Sequence, residues 1–418
     1  MKIIRVKNPD SFAKRAGPPF DKKTAQKIIN DVRRNGDFAL KRFEKKFTGV
    51  EIKSFRVSKR EISDAYDKVS KDQIAAINEA KGRLTRTESA LKKRLAKFQV
   101  RHGGISITKS FVPIPSVGCY VPGGLAKYPS SAIMSIVPAK IAGVERVAVA
   151  TPPGKNGIVD PLVLVAADMC GADEIYKVGG AHAIAALAYG TESILPVDKI
   201  VGPGGAIVTA AKFLVSDIVG IDMLAGPTEL AILADGSADA NLIALDLISQ
   251  SEHSMDTICC LVTTSERLAL DVIKKLDEKA DTVSRGDIVR TSLDKNGFVA
   301  LCKNIDDAVR TVENIAPEHL QIMVKNTNKI ANTIRASGLV LVGNTPSSAS
   351  DYLLGTNHIL PTNRFGRSRG SLSVLDFVKV QTTAGVTRDV LRQIEKSMKI
   401  LTDSEGLQNH YEAVRGRL

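Results

Sequence analysis

Residues 146–190 read RVAVATPPGKNGIVDPLVLVAADMCGADEIYKVGGAHAIAALAYG. Two short runs rich in β-branched and small residues, Arg146–Thr151 and Ile175–Val178, end in Pro or Gly. Alanine-rich segments of helical character, Pro161–Cys170 and His182–Tyr189, follow them. Strands punctuated by glycine and alternating with helices predict a parallel sheet with helical crossovers. The pattern extends through a strand at Lys199–Val201 and a helix at Ala206–Val215. It resumes with strands at Leu230–Ala234, Ile258–Thr263, Leu320–Val324 and Leu339–Val342, and helices at Ala238–Glu252, Ser265–Ala280 and Ile305–Asn314. The fold class is therefore α/β, in two alternating blocks. Upstream, helical periodicity runs over Ala25–Arg34, Asp37–Phe47 and Ser58–Lys97, and Phe111–Tyr120 reads as extended. A strand-and-helix tail begins near Val374.

The 418 residues suffice for two or three domains with ample buried core. No apolar run is long enough to span a bilayer, and the first residues lack the apolar stretch of a signal peptide. The expectation is a cytoplasmic protein. The net charge of +13 is concentrated in residues 1–100, which hold 27 Lys and Arg against 12 Asp and Glu. Such a bias can attract nucleic acid or anionic cofactors, but without an aromatic stacking platform it reads as a solvated helical face. Five cysteines (Cys119, Cys170, Cys259, Cys260 and Cys302) include no CxxC pair, so reduced structural thiols are expected.

Chemistry-bearing residues cluster in a few segments. Gln250 and His253 stand three apart at the end of a helical stretch, a spacing that sets both on one face. Asp351 and His358 bracket Gly355, which lets the loop fold back. Glu318 and His319 open a strand, where an acid beside an imidazole can supply bases for an oxidation. Glu405 and His410 lie in the tail, where such residues are ordinarily surface. Two glycine turns, Tyr120–Gly124 and Val201–Gly205, precede helices and can bring backbone amides to a phosphate. Neither matches G-x-G-x-x-G, and each taken alone is a tight connection.

Together these segments resemble histidinol dehydrogenases over nearly the whole chain. The likeness rests on Tyr-Val-Pro-Gly-Gly at 120–124, Ala-Gly-Pro-Thr-Glu at 225–229, Gln-Ser-Glu-His at 250–253 and Ala-Pro-Glu-His-Leu at 316–320. It continues in the loop from Asp351 to Thr362 and in Glu-Gly-Leu-x-x-His at 405–410. The resemblance implies two intertwined, incomplete Rossmann-like domains with parallel sheets, plus small terminal segments. One domain would span 18–119 and 229–372, the other 120–228, with an N-terminal segment at 1–17 and a dimerisation tail at 373–418.

It also implies a homodimer with one zinc per subunit, held by Gln250, His253, Asp351 and the partner subunit's His410. Those four residues would also contact substrate, together with Thr228, Glu318, His358 and Glu405. The implied reaction oxidises L-histidinol through L-histidinaldehyde to L-histidine with two NAD, the last step of histidine biosynthesis. Glu318 and His319 would be its acid–base residues, and Tyr120, His182 and Gly205 would meet NAD. The chain departs from the family pattern at His182 and Gly205, where Gln and Asn are usual, at Thr228, often Ser, and at Ser254–Thr257, Ser347 and Ser350. Two other readings compete. A related zinc dehydrogenase of a sulfonated diol is disfavoured by Glu405, whose carboxylate repels a sulfonate. A basic nucleic-acid-binding protein without activity would need neither the metal-type residues nor the Glu-His pair. Neither nucleic acid nor a membrane is the expected partner.

Overall fold

The computed structural model describes residues 1–13, 21–123 and 127–418. Strand β1 (Lys2–Arg5) opens the chain. Helix α1 (Lys22–Thr48) kinks at Gly36, whose φ of +46° favours glycine. Helices α2 (Lys59–Tyr66) and α3 (Lys71–Lys92) follow. The single helical period expected over 58–97 is split because Ser70 accepts from the Gln73 amide and starts a helix of its own.

Next come β2 (Phe98–His102), β3 (Ile105–Pro113), β4 (Ser116–Tyr120), α4 (Pro129–Ala142), β5 (Arg146–Thr151), α5 (Pro161–Cys170), β6 (Glu174–Lys177), α6 (Gly180–Tyr189), β7 (Lys199–Val201), α7 (Ala206–Leu214) and β8 (Gly220–Ile221). The second block runs β9 (Glu229–Ala234), α8 (Ala240–Ser251), β10 (Ile258–Thr263), α9 (Glu266–Lys279), α10 (Gly286–Lys295), β11 (Phe298–Leu301), α11 (Ile305–Ile315), β12 (His319–Met323), α12 (Thr327–Ala331), β13 (Leu339–Val342) and α13 (Ser347–Tyr352). The tail holds β14 (Val378–Val386), α14 (Arg388–Glu405) and α15 (Gln408–Arg415).

Two parallel sheets carry the fold. One has strand order β6-β5-β4-β7-β8, the other β1-β11-β10-β9-β12-β13. Each winds outward from its first core strand and then reverses, between β4 and β7 in one and between β9 and β12 in the other, the arrangement of half a doubly wound fold. A third, antiparallel sheet joins β2 and β3 to the distant β14.

The expected grouping of 18–119 with 229–372 is not how the chain packs. Helices α1 to α3 lie on α4, α5, α6 and α7 of the five-stranded sheet. Ala25, Ile28, Ile29 and Val32 share a core with Tyr176, Ile184 and Leu187, and Leu84 shares one with Met134 and Leu164. Apolar faces so long must be covered, and the five-stranded sheet's own helices supply the cover. The expected separate N-terminal segment instead contributes β1 as an edge strand of the six-stranded sheet. Among the described residues no helix is long and apolar enough to cross a membrane. All five cysteines are free and buried.

Candidate functional site

A cavity of about 580 Å³ lies between the two parallel sheets. One wall comes from the amino ends of the six-stranded sheet: Thr228 before β9, Glu318 before β12, and His319, the first residue of β12. Gln250 and His253 reach it from the end of α8, Asp351 from α13, and His358 and Thr362 from the loop beyond. The opposite wall comes from the carboxyl ends of the five-stranded sheet: Pro122 and Gly123 after β4, and Pro203, Gly204 and Gly205 after β7.

The ionisable wall is tightly bonded. His319 is 2% exposed. Its Nδ1 lies 3.4 Å from the backbone oxygen of Glu229 and 3.7 Å from Oε2 of Glu318, and its Nε2 is 3.3 Å from Oδ1 of Asp351. Burial opposes a charge on this ring. The Glu318 carboxylate and then Asp351 outweigh that effect and hold the imidazole up at about 10. His358 moves the other way, lowered chiefly by burial, with its Nδ1 2.7 Å from the backbone oxygen of Asp351. Gln250 is buried and its Oε1 accepts from Ser347 Oγ at 3.1 Å. Ser347, noted above as a departure from the family pattern, thus orients a candidate ligand.

An amide oxygen and an imidazole from the end of α8 and a carboxylate from α13 therefore line one cavity, a donor set that suits a divalent zinc ion. Among the described residues no group of three His, Cys, Asp or Glu forms a complete metal site. Three donors at most come from Gln250, His253 and Asp351, so the set is open to donors from outside the chain. Glu405 and His410 are exposed, at the end of α14 and on α15, and do not line the cavity.

The glycine wall treats its three expected cofactor residues differently. Gly205 is exposed, lines the cavity and starts α7 with no side chain capping the first turn. The turn is held from behind: Asp222 Oδ2 accepts from the Gly202 amide at 2.7 Å, and the buried Lys212 donates to the Gly202 carbonyl at 2.9 Å and to Asp222. Gly202 has φ +114°, and a Cβ there would meet the Tyr120 carbonyl oxygen at 2.1 Å, so only glycine fits. His182, in contrast, does not reach the cavity. It is 2% exposed, its Nε2 is 2.8 Å from Oε1 of the buried Glu44, and Phe43 and Phe47 flank its ring. Tyr120 is also buried, and its hydroxyl accepts from the Gly180 amide at 3.0 Å. Gly124, at the end of the first glycine turn, lies outside the described residues.

The sequence reading missed several contributors. Tyr128, Ser130 and Ser131 line the cavity from the start of α4, where only a helix was legible. Glu229 sits inside the quoted Ala225–Glu229 motif, but nothing local indicates that it bonds Glu318 and the Asn363 amide. Glu44 looks like one more acid on a charged helix, and its partners lie 135 and 138 positions away.

Comparison with known proteins points to one family. The profile of the histidinol dehydrogenase family matches residues 19–418. A histidinol dehydrogenase from Methanothermobacter thermautotrophicus is 43% identical over 399 residues, covering 94% of this chain and 92% of that protein. One from Methanocaldococcus jannaschii is 41% identical over 396 residues, with the same two coverages. The crystal structure of histidinol dehydrogenase from Elizabethkingia anophelis superposes with a TM-score of 0.93 at 32% identity, covering 100% of this chain and 97% of that one. Neither the sulfonated-diol reading nor the nucleic-acid reading is favoured by these likenesses.

Proposed function

This chain belongs to the histidinol dehydrogenase family, and on that premise we propose that it oxidises L-histidinol through L-histidinaldehyde to L-histidine, reducing two NAD. The observation that carries the reading is the convergence of Glu318, His319, Gln250, His253, Asp351 and His358 on one cavity from three separate segments.

Gln250, His253 and Asp351 would hold the zinc, with His410 of the partner subunit completing the protein ligands in a homodimer. The chemistry a zinc ion supplies at such a site is a fixed positive charge that orients the substrate's nitrogens and offsets Asp351 beside the imidazole. The chain's own groups do the rest. With Nδ1 facing the Glu229 carbonyl, the His319 ring is held in the orientation that presents Nε2 to the cavity. With the ring in its neutral form, Nε2 would take the alcohol proton as hydride leaves the substrate carbon. Glu318 takes a proton from water as its oxygen bonds to the aldehyde carbon, giving a hydrate. His319 takes a proton again as the second hydride leaves. The sum is one alcohol, one water and two NAD⁺ giving one carboxylate, two NADH and three protons. Enclosure between the two walls keeps the aldehyde from side reactions.

Thr228 and His358 from the cavity wall, with Glu405 from the tail, would complete the substrate contacts. NAD would lie along the Pro203–Gly205 wall, where Gly205 offers backbone in place of the family's usual Asn. A soluble cytoplasmic enzyme fits the biosynthetic role. Metal analysis with NADH counted per histidinol tests the whole reading. One zinc per subunit and two NADH per histidinol are expected; turnover of a sulfonated diol in place of histidinol would overturn it.

A further inference from the structure

The Glu-His pair at the mouth of β12 is not free-standing. The neighbouring strand β9 begins with Glu229, and the two glutamates bind each other's backbone. The Glu229 amide donates to Glu318 Oε2 at 2.9 Å, and the Glu318 amide donates to Glu229 Oε2 at 3.2 Å. The second oxygen of Glu229, Oε1, accepts from the Asn363 amide at 2.9 Å. One side chain thus ties the strand carrying Glu318 and His319 to the loop carrying His358 and Thr362. The loop is held in a costly conformation there, because Asn363 and Arg364 have φ of +53° and +66°.

The two members of the Glu-His pair depend on Glu229 differently. His319 meets its backbone oxygen, which any substitution keeps. Glu318 takes its aim from the side-chain clasp: its own amide is fixed by the Glu229 carboxylate, and its Oε2 is engaged by the Glu229 amide, leaving Oε1 for a water. We infer that Glu229 is a positioning residue that aims Glu318 at the water of the hydration step and so serves the second oxidation while leaving the first to His319. The inference rests on the reading of Glu318 as the water-activating base. Partly buried beside a second carboxylate, Glu229 also carries a carboxyl pushed up by burial to about 8, so its proximity does not force two full charges together near neutrality.

The step it serves is balanced within the proposed chemistry. Water loses a proton to the Glu318 carboxylate as its oxygen bonds to the aldehyde carbon and the carbonyl electrons move to oxygen. The hydrate then gives hydride to the second NAD⁺.

The test uses the full-length enzyme and supplies L-histidinol and L-histidinaldehyde separately, in wild type, Glu229→Gln and Glu318→Gln. Gln at 229 keeps the length but replaces one acceptor oxygen by an amino group facing a backbone N–H. Glu229→Gln is expected to oxidise the alcohol within about threefold of wild type. It should slow aldehyde oxidation by about tenfold to a hundredfold, the scale of an ångström of misalignment. KM for the aldehyde should hold, NADH per histidinol should fall from two toward one, and trapped aldehyde should account for the difference. Glu229→Asp, which keeps the carboxyl group but shortens the reach, should show the same split. Equal slowing of both halves, no slowing of either, or failure of both variants to fold would make Glu229 merely structural and overturn the inference. A split in Glu318→Gln without one in Glu229→Gln removes this inference alone. If Glu318→Gln itself does not separate the halves, the assignment of Glu318 as water-activating base falls.

Discussion

The two walls of the cavity are opposite ends of the same kind of sheet. The five-stranded sheet presents its carboxyl ends and their glycine turns, the usual place for a ligand in an open parallel sheet. The six-stranded sheet presents its amino ends, and that is where the ionisable groups gather. The difference has a physical cause. At a carboxyl end the chain enters a helix, and glycine bares the amides of that helix start. At an amino end the first residues of neighbouring parallel strands stand side by side, so Glu229 at the start of β9 meets Glu318 and His319 at the start of β12 across a fixed register. One wall offers backbone, the other side chains.

That division can be broken most severely at His319. His319→Ala should lower histidinol turnover by about 10² to 10⁴ while zinc content and NAD affinity stay intact; loss of zinc on metal analysis would show that the walls are not separable this way. Gly202→Ala attacks the other wall through its backbone. It should cost roughly 2–4 kcal/mol in chemical denaturation, because the Cβ meets a carbonyl in a left-handed conformation. Gly205→Ala is the contrast: nothing lies within 4 Å of its Cβ, so it should fold normally and weaken only NAD binding. Equal destabilisation by the two would erase the distinction. His410→Ala should lower zinc affinity by at least about tenfold, and unchanged affinity by competition with a chelator would confine the metal to one chain's wall. Glu44→Ala should cost about 1–3 kcal/mol by orphaning the Gly179 amide and the buried His182 ring, read from the denaturation midpoint, with NAD affinity little changed.

The smallest effect is a pH dependence. Glu229 has its carboxyl raised from the usual range to about 8, so between pH 4.5 and 8 the folded chain holds a proton that the unfolded chain has lost. Stability contributed by this group is full below that window and declines as pH rises through it. Subtracting the stability curve of Glu229→Gln from that of wild type should leave a falling difference over this range; a rising one would show that the carboxyl ionises more easily in the fold.

Much of this fold is legible locally. Helix α5 matches its expected bounds because Asp160 caps the Leu162 amide, Pro161 takes the first turn and Gly171 ends the helix in the left-handed region. Strands β5 and β7 also match, being short and punctuated. The antiparallel sheet was not legible, since β3 pairs with β14 across 265 positions of chain from Pro113 to Val378 and no local signal records that. The candidate site divides in the same way. Gln250, His253, Glu318, His319, Asp351 and His358 sit in dense local motifs and do meet. His182 stands in an equally suggestive place beside two glycines, yet Glu44, from a helix 138 positions away, turns it inward. A motif shows which residue types are present; where a ring points is decided by whatever packs on it from elsewhere.

His319 begins a strand that lies inside its sheet, with β9 on one side and β13 on the other. Freeing that ring by a local opening would require tearing two ladders at once, unlike a base carried on a surface loop. Amide protons of Leu320 to Ile322 should therefore exchange with deuterium only in molecules that unfold as a whole. On heating, the ability to reduce NAD should disappear together with the native structure, with no inactive but folded interval before it.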